Sequence, residues 1–267
     1  MADDSASTPH DPSRPHIEDR RVLRWLEGDG VGGLPFSRED TQAYRPSLRP
    51  PVPVVTILDD GSQNDGEHLR MRTESLAIGR TKGDLQIPND PALSGLHAEI
   101  RRVAWRGGYQ WTLVDLQSVN GTFVRCSRAV LHDDAIVIIG SKRYRLRNPL
   151  TTLRTSSSRG ATQLIDEALP PERWPVFMET SQRGSAWSVP LKHSSATLGR
   201  TGGDADIMID DPLLAHRHAQ LEQQRDGTWV INAETTRNGV WVSVNTVTLT
   251  GHCFFRCGEQ IFRFELP

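Results

Sequence analysis

Ser94 and His97 lie three residues apart in DPALSGLHAEI, residues 90–100. With the downstream Asp115 they offer the residue types of a nucleophile, a base and an orienting carboxylate. A second stretch, DPLLAHRHAQL (211–221), keeps the same frame and its His218, but places Ala215 where the serine was and Ala233 or Asn232 where the aspartate was. A histidine retained without its serine is not there to activate that serine, so the nucleophilic reading is set aside. No stretch forms a nucleophile elbow, a P-loop or a His-Glu-x-x-His helix. Cys253 and Cys257 in CFFRC have the wrong spacing for a zinc knuckle. The chain is therefore expected to be non-enzymatic, with no cofactor and no metal site. What recurs instead is an ordered series of Gly-Arg (Gly79-Arg80, Gly199-Arg200), the Asp-Pro-to-His frame, and Asn-Gly (Asn120-Gly121, Asn238-Gly239). Alone, a Gly-Arg is an ordinary turn with a solvated arginine and Asn-Gly an ordinary hairpin signal. The series gains its meaning from order and repetition.

The elements that must position these residues are strands. From Val54 to Leu146 the runs VVTIL, LAIGR, HAEIRRVAW, YQWTLVDL, TFV, AIVIIG and RYRL are β-branched, aromatic or alternating, separated by DDG, NDP, RGG and VNG. Helix-length apolar periodicity is absent. Residues 148–173, rich in Ser, Thr, Pro and Gly, have linker composition. The strand pattern then returns in the same order as VFMET, AWSV, ATLGR, DIMID, HAQLEQQ, TWVIN, VWV, CFFRCG and QIFRFEL. LHDDAIVIIGSKRYRL (131–146) aligns without gaps on LTGHCFFRCGEQIFRF (249–264), so the chain is a tandem duplication. Residues 1–52 read as a disordered arm with one short amphipathic run around Val22, Leu23 and Leu26. The expected fold is all-β: two antiparallel sandwiches at 53–147 and 174–267, joined by a flexible linker and preceded by the arm.

Composition narrows the partners. A net charge of −2 gives no bulk attraction for nucleic acid or anionic lipid, and no apolar run approaches membrane-spanning length. The acidic, polar start is not a signal peptide, and the odd number of cysteines (Cys126, Cys253, Cys257) argues against a disulfide framework. A cytoplasmic protein is expected. Only three lysines (Lys82, Lys142, Lys192) stand among many arginines, a composition suggestive of a GC-rich bacterial genome.

The ordered series resembles the forkhead-associated domain, a phosphothreonine-binding β-sandwich. Its pattern of Gly-Arg, Ser-x-x-His and Asp-Leu-x-Ser-x-Asn-Gly-Thr is matched here by Gly79-Arg80, Ser94-Gly95-Leu96-His97 and DLQSVNGT (115–122). The second copy matches less well. The resemblance implies that Arg80 and Ser94 contact phosphate, beside Gly95, and that Asn120 holds the peptide backbone. A guanidinium fork suits a dianionic phosphate ester. Gly79, His97, Gly121, Gly199, His218 and Gly239 are read as structural, the histidines bonding loop backbone. Val119 and Arg237 stand where the family carries Thr or Ser before Asn-Gly. The second copy, with Arg200, Ala215, Arg237 and Asn238, is read as a degenerate site used for a different protein contact. The implied partner is a phosphothreonine protein or Ser/Thr kinase, making the chain a signalling adaptor. Thr162 in the linker, with Thr8 next, is the expected phosphoacceptor for self-binding. The alternative is a structural assembly protein whose sandwiches bind unmodified partners.

Overall fold

The computed structural model describes residues 52–58, 66–132, 135–148, 174–180 and 187–266. Thr8, Thr162, the run around Leu23 and nearly all of the linker lie outside them. Among the described residues there are twenty strands and no helix. The first repeat supplies β1 (Val54–Leu58), β2 (Glu67–Arg70), β3 (Ser75–Gly79), β4 (Leu85–Gln86), β5 (Ala98–Trp105), β6 (Gly108–Asp115), β7 (Thr122–Cys126), β8 (Arg128–Leu131), β9 (Ile136–Ile139) and β10 (Lys142–Arg147). The second supplies β11 (Val176–Glu179), β12 (Ser188–Pro190), β13 (Ser195–Arg200), β14 (Ile207–Ile209), β15 (Ala219–Gln223), β16 (Trp229–Ala233), β17 (Val240–Val244), β18 (Thr246–Leu249), β19 (His252–Cys257) and β20 (Gln260–Glu265).

The repeats expected at 53–147 and 174–267 do not each close into a sandwich of their own. One sheet of ten strands runs β12-β11-β10-β9-β17-β7-β19-β20-β1-β2, faced by two five-stranded sheets, β18-β6-β5-β3-β4 and β14-β13-β15-β16-β8. The pairings β3–β4 and β13–β14 are parallel and the rest antiparallel. The first strand, β1, pairs along its whole length with β20, from Val54↔Glu265 to Leu58↔Ile261. Likewise β6 pairs with β18, β8 with β16, and β10 with β11. The chain crosses between sandwiches at Ser127, between β7 and β8, and at Asn245, between β17 and β18.

The packing follows the pairing. The first core mixes Val55, Ile57, Leu76, Ile78, Ile100, Trp111 and Leu113 with Leu249, Phe255, Phe262 and Phe264 of the second repeat. The other core mixes Leu198, Ile207, Leu221, Trp229 and Ile231 with Leu131, Val137, Ile139, Tyr144 and Leu146 of the first. Phe255 stacks on Phe262 at 4.8 Å, and Tyr144 on Phe177 at 5.1 Å. Burying a large apolar side chain is worth about 1.5–3 kcal/mol, so the four residues lent to the first core supply roughly 10 kcal/mol, comparable to a domain's whole net stability. Cys257 is buried in that same core, and the three cysteines are free thiols.

Phe264→Ala and its counterpart Leu146→Ala sit in opposite sandwiches and are both buried. Each is expected to lower stability in urea by about 3–5 and 2–5 kcal/mol respectively. Phe264→Ala should perturb the amide signals of Val55 and Trp111, in the other repeat, more than those of Leu198. Perturbation confined to residues 174–267 would contradict the pairing.

Candidate functional site

Arg80 follows β3, and its N–H donates to the Ser94 carbonyl at 2.8 Å. Thr81 and Lys82 both donate to the Gly95 carbonyl, at 3.1 and 2.8 Å. This lacing requires a residue without a side chain at position 79, because a Cβ there would run into the carbonyl oxygens of Gly95 and Lys82. Arg80 and Ser94 are thereby brought to the meeting point of two loops.

The Ser94 Oγ accepts the Val119 N–H at 3.0 Å, which leaves its own proton to donate outward. His97 is fully buried. Its Nδ1 accepts the Ser94 N–H at 3.0 Å, so the ring proton sits on Nε2, which donates to the Gly121 carbonyl at 3.2 Å. One imidazole thus pins the loop before β5 to the loop between β6 and β7. Burial lowers its pKa, and the weaker pulls of the Gly121 bond, Asp115 and Asp90 do not reverse this. Both ring nitrogens are committed to backbone, leaving none for the Ser94 hydroxyl. Asp115 faces neither residue as an orienter: it accepts the Ser118 N–H and hydroxyl at 3.0 and 2.5 Å and the Thr122 hydroxyl at 2.7 Å. The three residues build loops and do not form a nucleophile–base pair.

Asn120 spends its side-chain N–H on the Ala92 carbonyl at 2.7 Å, and its own carbonyl accepts from Arg143 at 2.8 Å. The guanidinium of Arg143 also lies over the Phe123 ring at 5.2 Å. Val119, 88% exposed, stands at the loop tip. Asp115, offered by the sequence as an orienting carboxylate and as the first residue of DLQSVNGT, instead braces its own loop, and an Asp followed three residues later by Ser is the signature of such a turn. Two contributors escaped the sequence reading as parts of the site. Arg143 comes from β10, in the other sandwich, and nothing local to it signals this role. Asp90 is the second. Buried at the head of the Asp-Pro frame, it accepts the Ala92 N–H and, from the turn between β19 and β20, the Glu259 N–H, both at 2.8 Å.

The second copy rebuilds the histidine, asparagine and Asp-Pro parts of this scaffold. Arg200 donates its N–H to the Ala215 carbonyl at 2.9 Å. The Nδ1 of His218 accepts the Ala215 N–H at 3.2 Å, and its Nε2 donates to the Gly239 carbonyl at 2.9 Å. Asn238 donates to the Leu213 carbonyl at 2.8 Å. Asp211 accepts the Leu213 N–H at 2.8 Å and the N–H and hydroxyl of Ser141, in the β9–β10 turn, at 2.7 Å. Three features differ. Residue 215 has no hydroxyl, and His216 replaces Gly95, where its Nε2 accepts from the Arg200 guanidinium at 3.0 Å. Ala233 and Val240 stand where Asp115 and Thr122 brace the first loop, and here the Thr236 hydroxyl oxygen accepts the Gly239 N–H at 3.1 Å instead. The carbonyls of Thr236 and Arg237 are held by Arg125 of β7 at 2.8 and 3.0 Å.

Burial holds both His97 and His218 below the ordinary value of 6.5. The unfolded chain therefore binds more protons than the folded one once pH drops below 6.5. Their stabilisation is complete above that value and is lost as pH falls towards the depressed folded values. The urea midpoint is expected to be lower at about pH 5.5 than at about pH 7.5, and His97→Gln with His218→Gln should flatten the difference. A midpoint that rises on acidification, or a slope untouched by both substitutions, would contradict the burial argument.

With this geometry in hand, the chain matches the FHA domain family at two places, residues 76–140 and 196–254. Those stretches hold Arg80, Ser94 and Asn120 in the first copy and Arg200, Ala215 and Asn238 in the second. No curated protein matches the chain. Among solved structures, a chain from a study of phosphothreonine-dependent FHA domain interactions is 15% identical, covering 81% of this chain and 97% of its own, with a TM-score of 0.30. Full-length yeast Pml1p is 22% identical over 28% of this chain and 57% of its own, with a TM-score of 0.25. Mycobacterium tuberculosis EmbR, solved with a low-affinity phosphopeptide, is 28% identical over 30% of this chain and 21% of its own, with a TM-score of 0.20.

Proposed function

We propose, from the premise that this chain is a tandem FHA-domain protein, that its first site binds phosphothreonine peptides and that the chain serves as an adaptor in Ser/Thr kinase signalling. The supporting observation is the junction of Arg80 and Ser94. Among the described residues Arg80 has no carboxylate partner. The Ser94 hydroxyl has its acceptor side filled by Val119 and its proton available. A guanidinium fork and a preset hydroxyl donor, on loops laced together through the Arg80 N–H and the Ser94 carbonyl, suit a dianionic phosphate. The Ser94 loop is already pinned by His97, which reduces the ordering required on binding. In this reading the remaining polar groups of the Asn120 side-chain amide hold the peptide backbone, one of its N–H groups being braced on the Ala92 carbonyl.

The second site is a degenerate one turned to a different protein contact. Ala215 removes the hydroxyl, and His216 already takes the Arg200 guanidinium. Neither change touches the strands, so the scaffold persists while the anion chemistry differs.

Arg80→Ala is expected to cost about 2–3 kcal/mol of binding to a phosphothreonine peptide, a loss of roughly 30- to 150-fold. Ser94→Ala should cost about 1 kcal/mol, and Arg200→Ala should leave the affinity unchanged. Binding should weaken as pH falls through about 6, where the phosphate becomes a monoanion. Titration calorimetry with the peptide and its unphosphorylated twin decides the matter. Equal affinity for the two would remove the phosphate reading, and capture of the same proteins from kinase-treated and phosphatase-stripped lysates would favour assembly on unmodified partners.

A further inference from the structure

We infer that the second repeat is the built-in complement of the phosphothreonine-reading sandwich, so that the two FHA repeats form one obligate, strand-exchanged binding unit. The ligand in this inference rests on the reading of the first site given above; the exchange itself does not. Three observations lead to it, each from a different part of the molecule.

The first is pairing. In this chain β1 faces β20, and Glu265 lies opposite Val54. The residue of the first repeat aligned with Glu265 is Arg147, which instead faces Val176 of β11. Every strand after the crossing points Ser127 and Asn245 is used by the other repeat. The crossings match one another in detail: Asp115 donates its N–H to the Asn245 carbonyl at 2.9 Å, and Ala233 donates to the Ser127 carbonyl at 2.8 Å.

The second is the centre of the long sheet. Val124 pairs with Val242, and these are equivalent residues of the two Asn-Gly-x-aromatic-Val runs. Thr122 faces Val244 and Cys126 faces Val240, so the pairing maps onto itself when the repeats are interchanged. Such a register is that of a two-fold contact between like partners. The duplication has put both partners in one chain.

The third is the path to Ser94. The turn at Asp90–Leu93 is fastened by the Asp90 carboxylate, one of whose oxygens is taken by the Glu259 N–H of the second repeat. Gly258, in the left-handed region at φ 61, brings that turn so close that a Cβ there would collide with the carboxylate. Asp90 is thus a positioning residue, and its bond partner is supplied from 169 residues away in the chain. This gives a physical reason for the second repeat to be present although its own site lacks the hydroxyl: residues 246–265 complete the first sandwich whatever stands at 215 and 216.

The test uses the full chain with a protease site placed within residues 149–173. Val54→Cys/Glu265→Cys joins strands that are adjacent only in the exchanged form. Val54→Cys/Arg147→Cys joins strands adjacent only if the first repeat closes on itself. After mild oxidation and cleavage, the first pair is expected to hold the two fragments together on a non-reducing gel, and the second pair to give no disulfide by peptide mass mapping. Without any substitution, the cleaved chain should run as a 1:1 complex in native mass spectrometry. The Val54–Arg147 disulfide, or cleaved fragments that separate as monomers, would overturn the exchange. In the uncleaved chain, Asp90→Asn is expected to weaken phosphothreonine-peptide binding about tenfold, and Asp211→Asn, which breaks the matching bond in the other sandwich, to change it less than about twofold. Equal losses from the two would overturn the positioning role of Asp90. A chain that crosslinks as expected but binds no phosphopeptide would leave the exchange standing and remove only the ligand reading.

Discussion

The antiparallel pairing of Thr122–Cys126 with Val240–Val244 is the contact on which the rest of the structure depends. These two strands are where each repeat hands the chain over to the other sandwich. Their pairing turns two half-sheets into one sheet of ten strands and protects two edges that would otherwise be open to other chains. On the face of the sheet away from the two large cores, Phe123, Ile138 and Trp241 bury one another in a smaller cluster spanning the junction. The junction is therefore an apolar contact as well as a ladder of backbone bonds.

From that junction the site loops follow by short steps. The Asn-Gly turns sit directly before β7 and β17, and Gly121 and Gly239 take the left-handed conformation there, at φ 79 and 62. Each turn's glycine carbonyl receives the Nε2 proton of the buried histidine, His97 or His218, which in turn accepts from residue 94 or 215. The histidines are the same in both copies because they brace loops. The loops differ in Ser94 and Gly95 against Ala215 and His216, and in the brace that Asp115 makes with Ser118 and Thr122, whose place is taken by a bond from the Gly239 N–H to the Thr236 hydroxyl. The histidine bridge stays the same while the residues around it change.

Much of this was legible in the sequence. β1, β5, β6, β9 and β10 were visible as β-branched or alternating runs, and the duplication was visible in the gap-free match of 131–146 with 249–264. The Asp-Pro frame was visible too, although its purpose was not: Asp90 and Asp211 hold hairpin turns of the opposite repeat, and such partners have no local signature. RAVL and TVTL, which became β8 and β18, were too short and too evenly mixed to stand out. Nor did their sequence say which sandwich they would join, since the two repeats offer near-equivalent sheets and the choice is made by the whole register of β1, β6, β16 and β11. The same limit hid Arg143, whose contact with the Asn120 carbonyl exists only because β10 lies on the far side of the exchange. His216 was in plain view, but its meeting with Arg200 depends on loop geometry that composition does not carry.

The central claim is that a phosphothreonine site in the first repeat is finished by the second. It is tested most directly by following backbone amide signals of the intact chain during titration with a phosphothreonine peptide. The account predicts that Arg80, Ser94, Val119 and, from the other repeat, Glu259 shift together with one dissociation constant, while Arg200, Ala215 and Ser141 stay in place. Shifts that stop at residue 147, or that centre on Arg200 and Ala215, would contradict it.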